Sequence, residues 1–123
     1  MKTCKLCNET KPYEDFHANK KEKDGHHTWC KVCKLDHARW KHLENRYGIT
    51  KEQYNQKFEE QKGCCDICGE HQMNFKHALA VDHNHTTGKV RGLLCGPCNT
   101  AIGKLKEDKK LFLAAIAYLE KHD

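Results

Sequence analysis

The fold is decided between residues 65 and 99, where the sequence reads Cys65-Asp66-Ile67-Cys68, Val81-Asp82-His83-Asn84-His85 and Cys95-Gly96-Pro97-Cys98-Asn99. Two Cys-x-x-Cys pairs enclose a cluster of aspartate and histidine. Each short Cys-x-x-Cys loop can point two thiolates at one ion, so the two pairs together predict a tetrahedral zinc site. Because the Asp-His cluster lies between the pairs, we expect the zinc site to hold it in a fixed position.

A second set of four cysteines precedes this stretch, again as two Cys-x-x-Cys pairs, here 22 residues apart. That spacing is typical of a zinc ribbon or a treble-clef site. The eight predicted zinc ligands are Cys4, Cys7, Cys30, Cys33, Cys65, Cys68, Cys95 and Cys98. His26 and His27 could compete as ligands, but four cysteines already complete the first site. The ninth cysteine, Cys64, is expected to be a spare buried thiol.

The composition favours zinc over disulfides. Of the 123 residues, 37% are hydrophobic, which is lean for a core of this size and calls for metal ions to stabilise the fold. Nine cysteines would leave one unpaired in a disulfide scaffold, and residues 1–5 contain no apolar run that resembles a signal peptide. We therefore expect a cytoplasmic protein that is not secreted. The chain also contains no run of about 18 apolar residues that could span a membrane.

The positive charge is concentrated in the first half of the chain. The net charge is +5, of which residues 1–62 contribute +4. This half is the better candidate for gripping a phosphate backbone, with Lys34 and Arg39 among the candidate contacts, although an ordinary solvated basic surface is the alternative. Trp40 could pack in the core or stack on a base, and core packing is favoured.

The order of predicted elements is Cys-x-x-Cys loop, hairpin, Cys-x-x-Cys loop and helix, which indicates a small α+β fold stapled by zinc. We expect three regions: a four-cysteine zinc unit at 1–33, a basic helical connector at 34–63 and a second zinc-bound domain at 64–123. The connector could equally pack on a second copy of the chain. The predicted elements are a helix at 31–47 stopped by Gly48, a helix capped by Thr50 and Gln53 that ends at Gly63, strands at 79–81 and 90–94, a helix beginning near Pro97, and a last helix at 109–121 capped by Asp108.

The central stretch resembles the phage recombination endonuclease VII family, within the wider HNH or His-Me finger nucleases. The resemblance rests on the four cysteines, the Val81-to-His85 run, the Gly88-to-Cys95 run and Asn99, and it extends over about residues 47–121. It implies a ββα-metal core, to which the N-terminal treble-clef-like zinc unit is an extension. A phage-encoded protein acting in the cytoplasm of a bacterial host is then expected.

The resemblance also implies roles for individual residues. His83 would be the general base that activates water, and His85 would support or contact the scissile phosphate. Asp82 and Asn99 would hold one catalytic divalent ion, Mg²⁺ or Mn²⁺. These roles suit the chemistry, because a neutral imidazole accepts a proton near pH 7 and hard oxygen ligands favour Mg²⁺. Lys89 and Arg91 would contact DNA phosphates, or would otherwise be surface charges of a strand.

The sequence leaves three candidate functions to compare. The leading one is a metal-dependent DNA endonuclease that leaves 5′-phosphate and 3′-hydroxyl ends. Its substrate would be duplex DNA or a four-way junction, and a junction would require a homodimer that presents two sites. The alternative is a non-catalytic double zinc module that binds nucleic acid or protein. A redox protein is disfavoured, because dithiol exchange needs one Cys-x-x-Cys pair rather than four.

Overall fold

The computed structural model describes residues 1–122, and its contacts divide the chain into two units, residues 1–51 and residues 52 onward. Each unit has the same order of elements: a Cys-x-x-Cys loop, an antiparallel hairpin, and a helix that begins at the second Cys-x-x-Cys pair. The small zinc-stapled α+β class is confirmed. No helix within residues 1–122 is both long enough and apolar enough to cross a membrane.

The first unit contains two short antiparallel sheets and one long helix. Its elements are β1 (Lys2–Thr3), β2 (Thr10–Lys11), a 3-10 turn (Tyr13–Asp15), β3 (Phe16–Ala18), β4 (His26–Cys30) and α1 (Lys31–Tyr47). Strand β1 pairs with β2, and β3 pairs with β4. The predicted bounds of α1 are confirmed, because Gly48 takes the left-handed φ of 70° and its N–H bonds the Glu44 carbonyl at 2.8 Å.

The core of the first unit is small. It consists of Cys4, Phe16 and Cys30, with Trp29 and Cys33 packed against them. Helix α1 buries none of its residues completely. So few buried apolar side chains cannot stabilise about 50 residues alone, and the cysteine cluster therefore has to contribute.

The second unit places a hairpin between its two Cys-x-x-Cys pairs. Its elements are α2 (Lys51–Glu60, of which Lys51 belongs to the first unit), a 3-10 turn (Gln72–Asn74), β5 (Ala80–His83), β6 (Val90–Leu94), α3 (Gly96–Lys104) and α4 (Lys109–Lys121). The predicted bounds of β6 and α4 are confirmed, and Asp108 caps α4 by accepting the N–H of Lys110 at 2.9 Å. Helix α2 ends before the predicted Gly63, because the backbone turns left-handed at Lys62 and Gly63.

Strand β5 differs from its prediction in a way that matters for the site. It excludes Leu79 and runs two residues further, so that Asp82 and His83 belong to the strand itself. Leu79 is held instead by side chains: its carbonyl accepts the Tyr54 hydroxyl at 2.5 Å, and its N–H donates to Gln72 at 3.0 Å. Because successive residues of a strand point to opposite faces, Asp82 and His83 present their side chains on different sides of the hairpin.

The outer edge of β6 is closed by one glutamine side chain. Gln61 donates to the Leu93 carbonyl and accepts the Leu93 N–H, both at 2.9 Å, and it also donates to the Cys64 carbonyl at 2.8 Å. Leu93 is completely buried. Gln61 therefore supplies the hydrogen bonds that a third strand would otherwise make.

Candidate functional site

The eight predicted zinc ligands form two clusters. Cys4, Cys7, Cys30 and Cys33 make one, and Cys65, Cys68, Cys95 and Cys98 make the other; within each cluster the sulfur atoms all lie within 4.8 Å of one another. Four thiolates at this spacing fit one tetrahedral structural zinc ion. Cys64, His26 and His27 belong to neither cluster. Cys64 is half-buried, and its thiol lies 3.5 Å from the Lys62 carbonyl oxygen.

In each cluster at least one thiol has a lowered pKa and another has a raised one. Burial opposes ionisation of Cys65, but backbone N–H groups, among them those of Cys95, Cys68 and Ile67, outweigh it and lower its pKa to about 6. The pKa of Cys4 is lowered to about 6 in the same way. Burial, aided by the neighbouring thiols, raises the pKa of Cys98 to about 12. The backbone N–H of Cys33 also lowers the pKa of Cys30 in the first cluster, whereas burial raises the pKa of Cys95 in the second. At least one thiolate therefore forms readily in each cluster, while full deprotonation requires a cation.

Lys11 adds a positive charge beside the first cluster. Its Nζ lies 3.3 Å from the Cys30 sulfur, and this hydrogen bond raises the pKa of Lys11. The ammonium offsets part of the negative charge that four thiolates bring to one zinc ion. Lys11 was not identified from the sequence, because it lies between the two Cys-x-x-Cys pairs of the first unit and belongs to no motif of its own.

The hairpin of the second unit contains a β-bulge at the predicted catalytic residues. Asp82 pairs with Gly92, but His83 pairs with Val90, so Arg91 is the extra residue on β6. In a regular ladder Arg91 would face His83 and share its side of the sheet. The bulge redirects the Arg91 side chain, as bulges beside functional sites often do, and it reaches Asp82 instead.

Asp82 is held by Arg91 through two hydrogen bonds. Arg91 Nε donates to Asp82 Oδ2 at 2.7 Å, and Nη2 donates to Oδ1 at 2.9 Å. The same Nη2 also donates to Glu107 Oε1. Hydrogen bonds to Asp82 and then to Glu107 raise the pKa of Arg91, so the guanidinium stays charged. Asp82 is only 7% exposed and is the only buried charged residue within residues 1–122.

The two predicted catalytic histidines lie against each other. The ring centroids of His83 and His85 are 4.5 Å apart. His85 is exposed, and its Nε2 lies 3.6 Å from Glu107 Oε1. Asp82, Arg91, Glu107 and the two imidazoles therefore form one continuous group at the bulged end of the hairpin.

The other predicted site residues lie as follows. Asn99 is half-buried in the first turns of α3, which packs against β5. Lys89 is exposed and immediately precedes β6. On α1, Lys34 Nζ lies 3.5 Å from His27 Nε2, and Arg39 stacks 4.5 Å from the ring of Trp40. The roles predicted for these residues stay predictions.

Trp40 differs from its favoured prediction. It is half-buried rather than part of the buried core. Its indole N–H donates to Asp36 at 3.1 Å, and the Lys51 ammonium lies 5.7 Å from its ring centre. Cation–π contacts with Arg39 and Lys51 therefore hold the ring at a basic surface.

Comparison with known proteins identifies the family. Residues 40–121 match the family described as recombination endonuclease VII, and the chain belongs to that family. It is 46% identical over 74 residues to the gene 59 protein of Mycobacterium phage L5, a match that covers 59% of this chain and 44% of that protein. It is 45% identical over 76 residues to the gene 59 protein of Mycobacterium phage D29, covering 61% and 46%. The chain thus spans less than half the length of these relatives.

A solved structure is also similar. The crystal structure of the ββα-Me type II restriction endonuclease Hpy99I matches with a TM-score of 0.46 and 27% sequence identity. The match covers 98% of this chain and 65% of that one.

Proposed function

We propose that this chain is a metal-dependent DNA endonuclease that hydrolyses phosphodiester bonds. The observation that carries the proposal is the group of side chains on the β5–β6 hairpin of a recombination endonuclease VII family member. Asp82 and two adjacent imidazoles, tilted at 43° to each other, lie on a hairpin between the two Cys-x-x-Cys pairs of one cysteine cluster. This arrangement provides a carboxylate and a proton acceptor at fixed positions, which a purely structural zinc finger does not need.

His83 is proposed as the general base. A neutral imidazole can remove a proton from the attacking water near neutral pH, and His85 at 4.5 Å can orient His83 or contact the phosphate. Because Asp82 and His83 face different sides of the strand, the two groups can act on different atoms of the substrate.

A divalent cation fits the donors on the other side of the strand. The Asp82 carboxylate already binds a cation, the Arg91 guanidinium, through both of its oxygens. Carboxylate and amide oxygens are the ligands that Mg²⁺ and Mn²⁺ prefer, and Asn99 on α3 would supply the amide. The cation would supply charge stabilisation to the phosphate as the bond breaks. Zinc would occupy the two thiolate clusters. The two kinds of metal would therefore bind at different sites, because zinc prefers thiolate ligands and Mg²⁺ or Mn²⁺ prefers oxygen ligands.

The central test is His83→Ala. The variant should lower DNA cleavage by about a hundredfold or more, because a positioned general base contributes that much. Zinc content and circular dichroism should stay unchanged. His77→Ala is the matched control, since His77 is an exposed histidine of the same unit and has no proposed role. Equal cleavage by wild type and His83→Ala would refute the assignment of His83, and no cleavage by either protein would favour the non-catalytic zinc module.

The substrate should be tested in the same experiment. Supercoiled plasmid, linear duplex and a synthetic four-way junction are compared with Mg²⁺, without added Mg²⁺ and with EDTA. Because EDTA also competes for zinc, the arm without added Mg²⁺ separates loss of the catalytic ion from loss of the fold. We propose 5′-phosphate and 3′-hydroxyl products, with Lys34, Arg39 and Lys89 as phosphate contacts.

We propose that the protein acts as a homodimer through α4. Residues 111–119 carry no charge, and several of their large apolar side chains are exposed. These are Leu111, Leu113, Ile116, Tyr118 and Leu119. A second copy fits this face better than DNA does, because an uncharged face can pair with itself without burying a charge. Two copies would present the two active sites that a four-way junction requires.

A further inference from the structure

The Arg91 guanidinium occupies the position where a cation would bind Asp82. Its Nε and Nη2 bond both oxygens of the Asp82 carboxylate, at 2.7 Å and 2.9 Å. A positive group at this distance repels a second cation and uses one lone pair on each Asp82 oxygen. Cation binding at Asp82 and the Arg91–Asp82 pair therefore oppose each other.

Glu107 offers the guanidinium a second partner. The same Nη2 that bonds Asp82 also bonds Glu107 Oε1. If a cation binds the Asp82 oxygens, Arg91 loses its bonds to Asp82 but can keep a charged hydrogen bond to Glu107. The presence of Glu107 therefore lowers the cost of freeing Asp82.

The backbone is bent unusually to bring Glu107 to this position. Lys106 and Glu107 both take left-handed conformations, with φ of 57° and 55°. Two consecutive residues other than glycine rarely do so, and such conformations concentrate at functional sites. The turn is closed by a hydrogen bond from the Glu107 N–H to the Ile102 carbonyl at 2.9 Å.

We propose that Glu107 is a positioning residue that sets the affinity of Asp82 for a divalent cation by holding the Arg91 guanidinium. The inference rests on the proposed function, in which Asp82 binds the catalytic ion. It assigns opposite effects to two neighbouring side chains. Loss of Arg91 should tighten cation binding, whereas loss of the Glu107 charge should weaken it.

The test is a titration of the zinc-loaded protein with Mn²⁺ in the absence of DNA, with free Mn²⁺ followed by electron paramagnetic resonance. Arg91→Met should bind Mn²⁺ about tenfold more tightly than wild type, and Glu107→Gln about threefold to tenfold more weakly. The double variant Arg91→Met/Glu107→Gln should bind Mn²⁺ with an affinity within about twofold of that of Arg91→Met alone. Arg91→Lys should give an intermediate gain, because an ammonium cannot grip both oxygens of one carboxylate in a planar fork.

Controls separate this mechanism from simple charge effects and from misfolding. Lys104→Gln and Glu120→Gln remove exposed charges of the same unit and should leave Mn²⁺ affinity unchanged. Circular dichroism and two zinc ions per chain establish that each variant folds, and Arg91→Lys keeps the test informative if Arg91→Met does not.

The outcomes distinguish this inference from the proposed function. If Glu107→Gln weakens Mn²⁺ binding equally with and without Arg91, Glu107 acts on the cation directly and the inference is overturned. Unchanged affinity in both Arg91 variants overturns it as well. If Asp82→Asn binds Mn²⁺ as tightly as wild type, the ligand assignment in the proposed function fails, whatever the other variants do.

Discussion

Replacing Gln61 with methionine should destabilise the second unit by about 3 kcal/mol. The side chain makes three hydrogen bonds of 2.8–2.9 Å, two to Leu93 and one to Cys64. Each contributes about 1 kcal/mol net, and methionine fills a similar volume without polar atoms. The Leu93 carbonyl keeps a bond of 3.2 Å from the Asp66 N–H, whereas the Leu93 N–H loses the Gln61 acceptor that it bonds at 2.9 Å.

The measurement is urea unfolding followed by circular dichroism at a fixed zinc concentration. The matched control is Gln56→Met, which removes one exposed hydrogen bond, to Glu60 at 3.2 Å, and should cost at most about 0.5 kcal/mol. Cleavage should also fall in Gln61→Met, because Leu93 adjoins the Gly92–Asp82 pair. A loss of stability no larger than that of Gln56→Met would refute the idea that Gln61 replaces a third strand.

Two further predictions concern the metal clusters and the apolar face of α4. Cys4 and Cys65 have folded pKa values of about 6 against an ordinary value of 9.0, so the unfolded chain binds more protons between these limits and the zinc-free fold should gain stability as the pH rises across that window. The zinc content, measured by elemental analysis after dialysis, should fall as the pH is lowered from 7.5 to 5, because protons compete with zinc for the thiolates. An unchanged zinc content at pH 5 would contradict this. Leu119→Lys should convert a dimer to a monomer in sedimentation equilibrium. The stability of the monomer should change little, since Leu119 is 67% exposed. A wild-type protein that is already monomeric would refute the α4 dimer and leave this face to a different partner.

Local signals predicted much of this structure correctly. The cysteine clusters follow from short spacings, because a Cys-x-x-Cys loop brings its two thiolates together whatever surrounds it. The helix ends at Gly48 and Asp108 follow from capping preferences, which depend on a few neighbouring residues. Strand β6 follows from Val90, Leu93 and Leu94, which come directly after the turn residues 86–89. Each of these features is specified within a window of a few residues.

Features that depend on distant pairing were not predictable in this way. Gln61 resembles any exposed helix residue, and its role appears only when Leu93, 32 residues later, is placed beside it. The Trp40 ring was expected in the core, but the few apolar anchors of the first unit already surround the cysteine cluster, and the neighbouring cations hold the ring at the surface.

The Arg91–Asp82 pair depends on register in a similar way. At the level of sequence, Arg91 was expected to contact a DNA phosphate, as the family resemblance implies, or otherwise to be a surface charge of the strand. A single extra residue in β6 instead brings the Arg91 side chain to the buried Asp82 carboxylate. The phosphate role is not lost if a cation displaces the guanidinium, since Arg91 would then remain beside Glu107 with donors left for a phosphate oxygen. Cation binding at Asp82 would thus release Arg91 from that carboxylate. This release would make the guanidinium available for a DNA phosphate when the cation is bound.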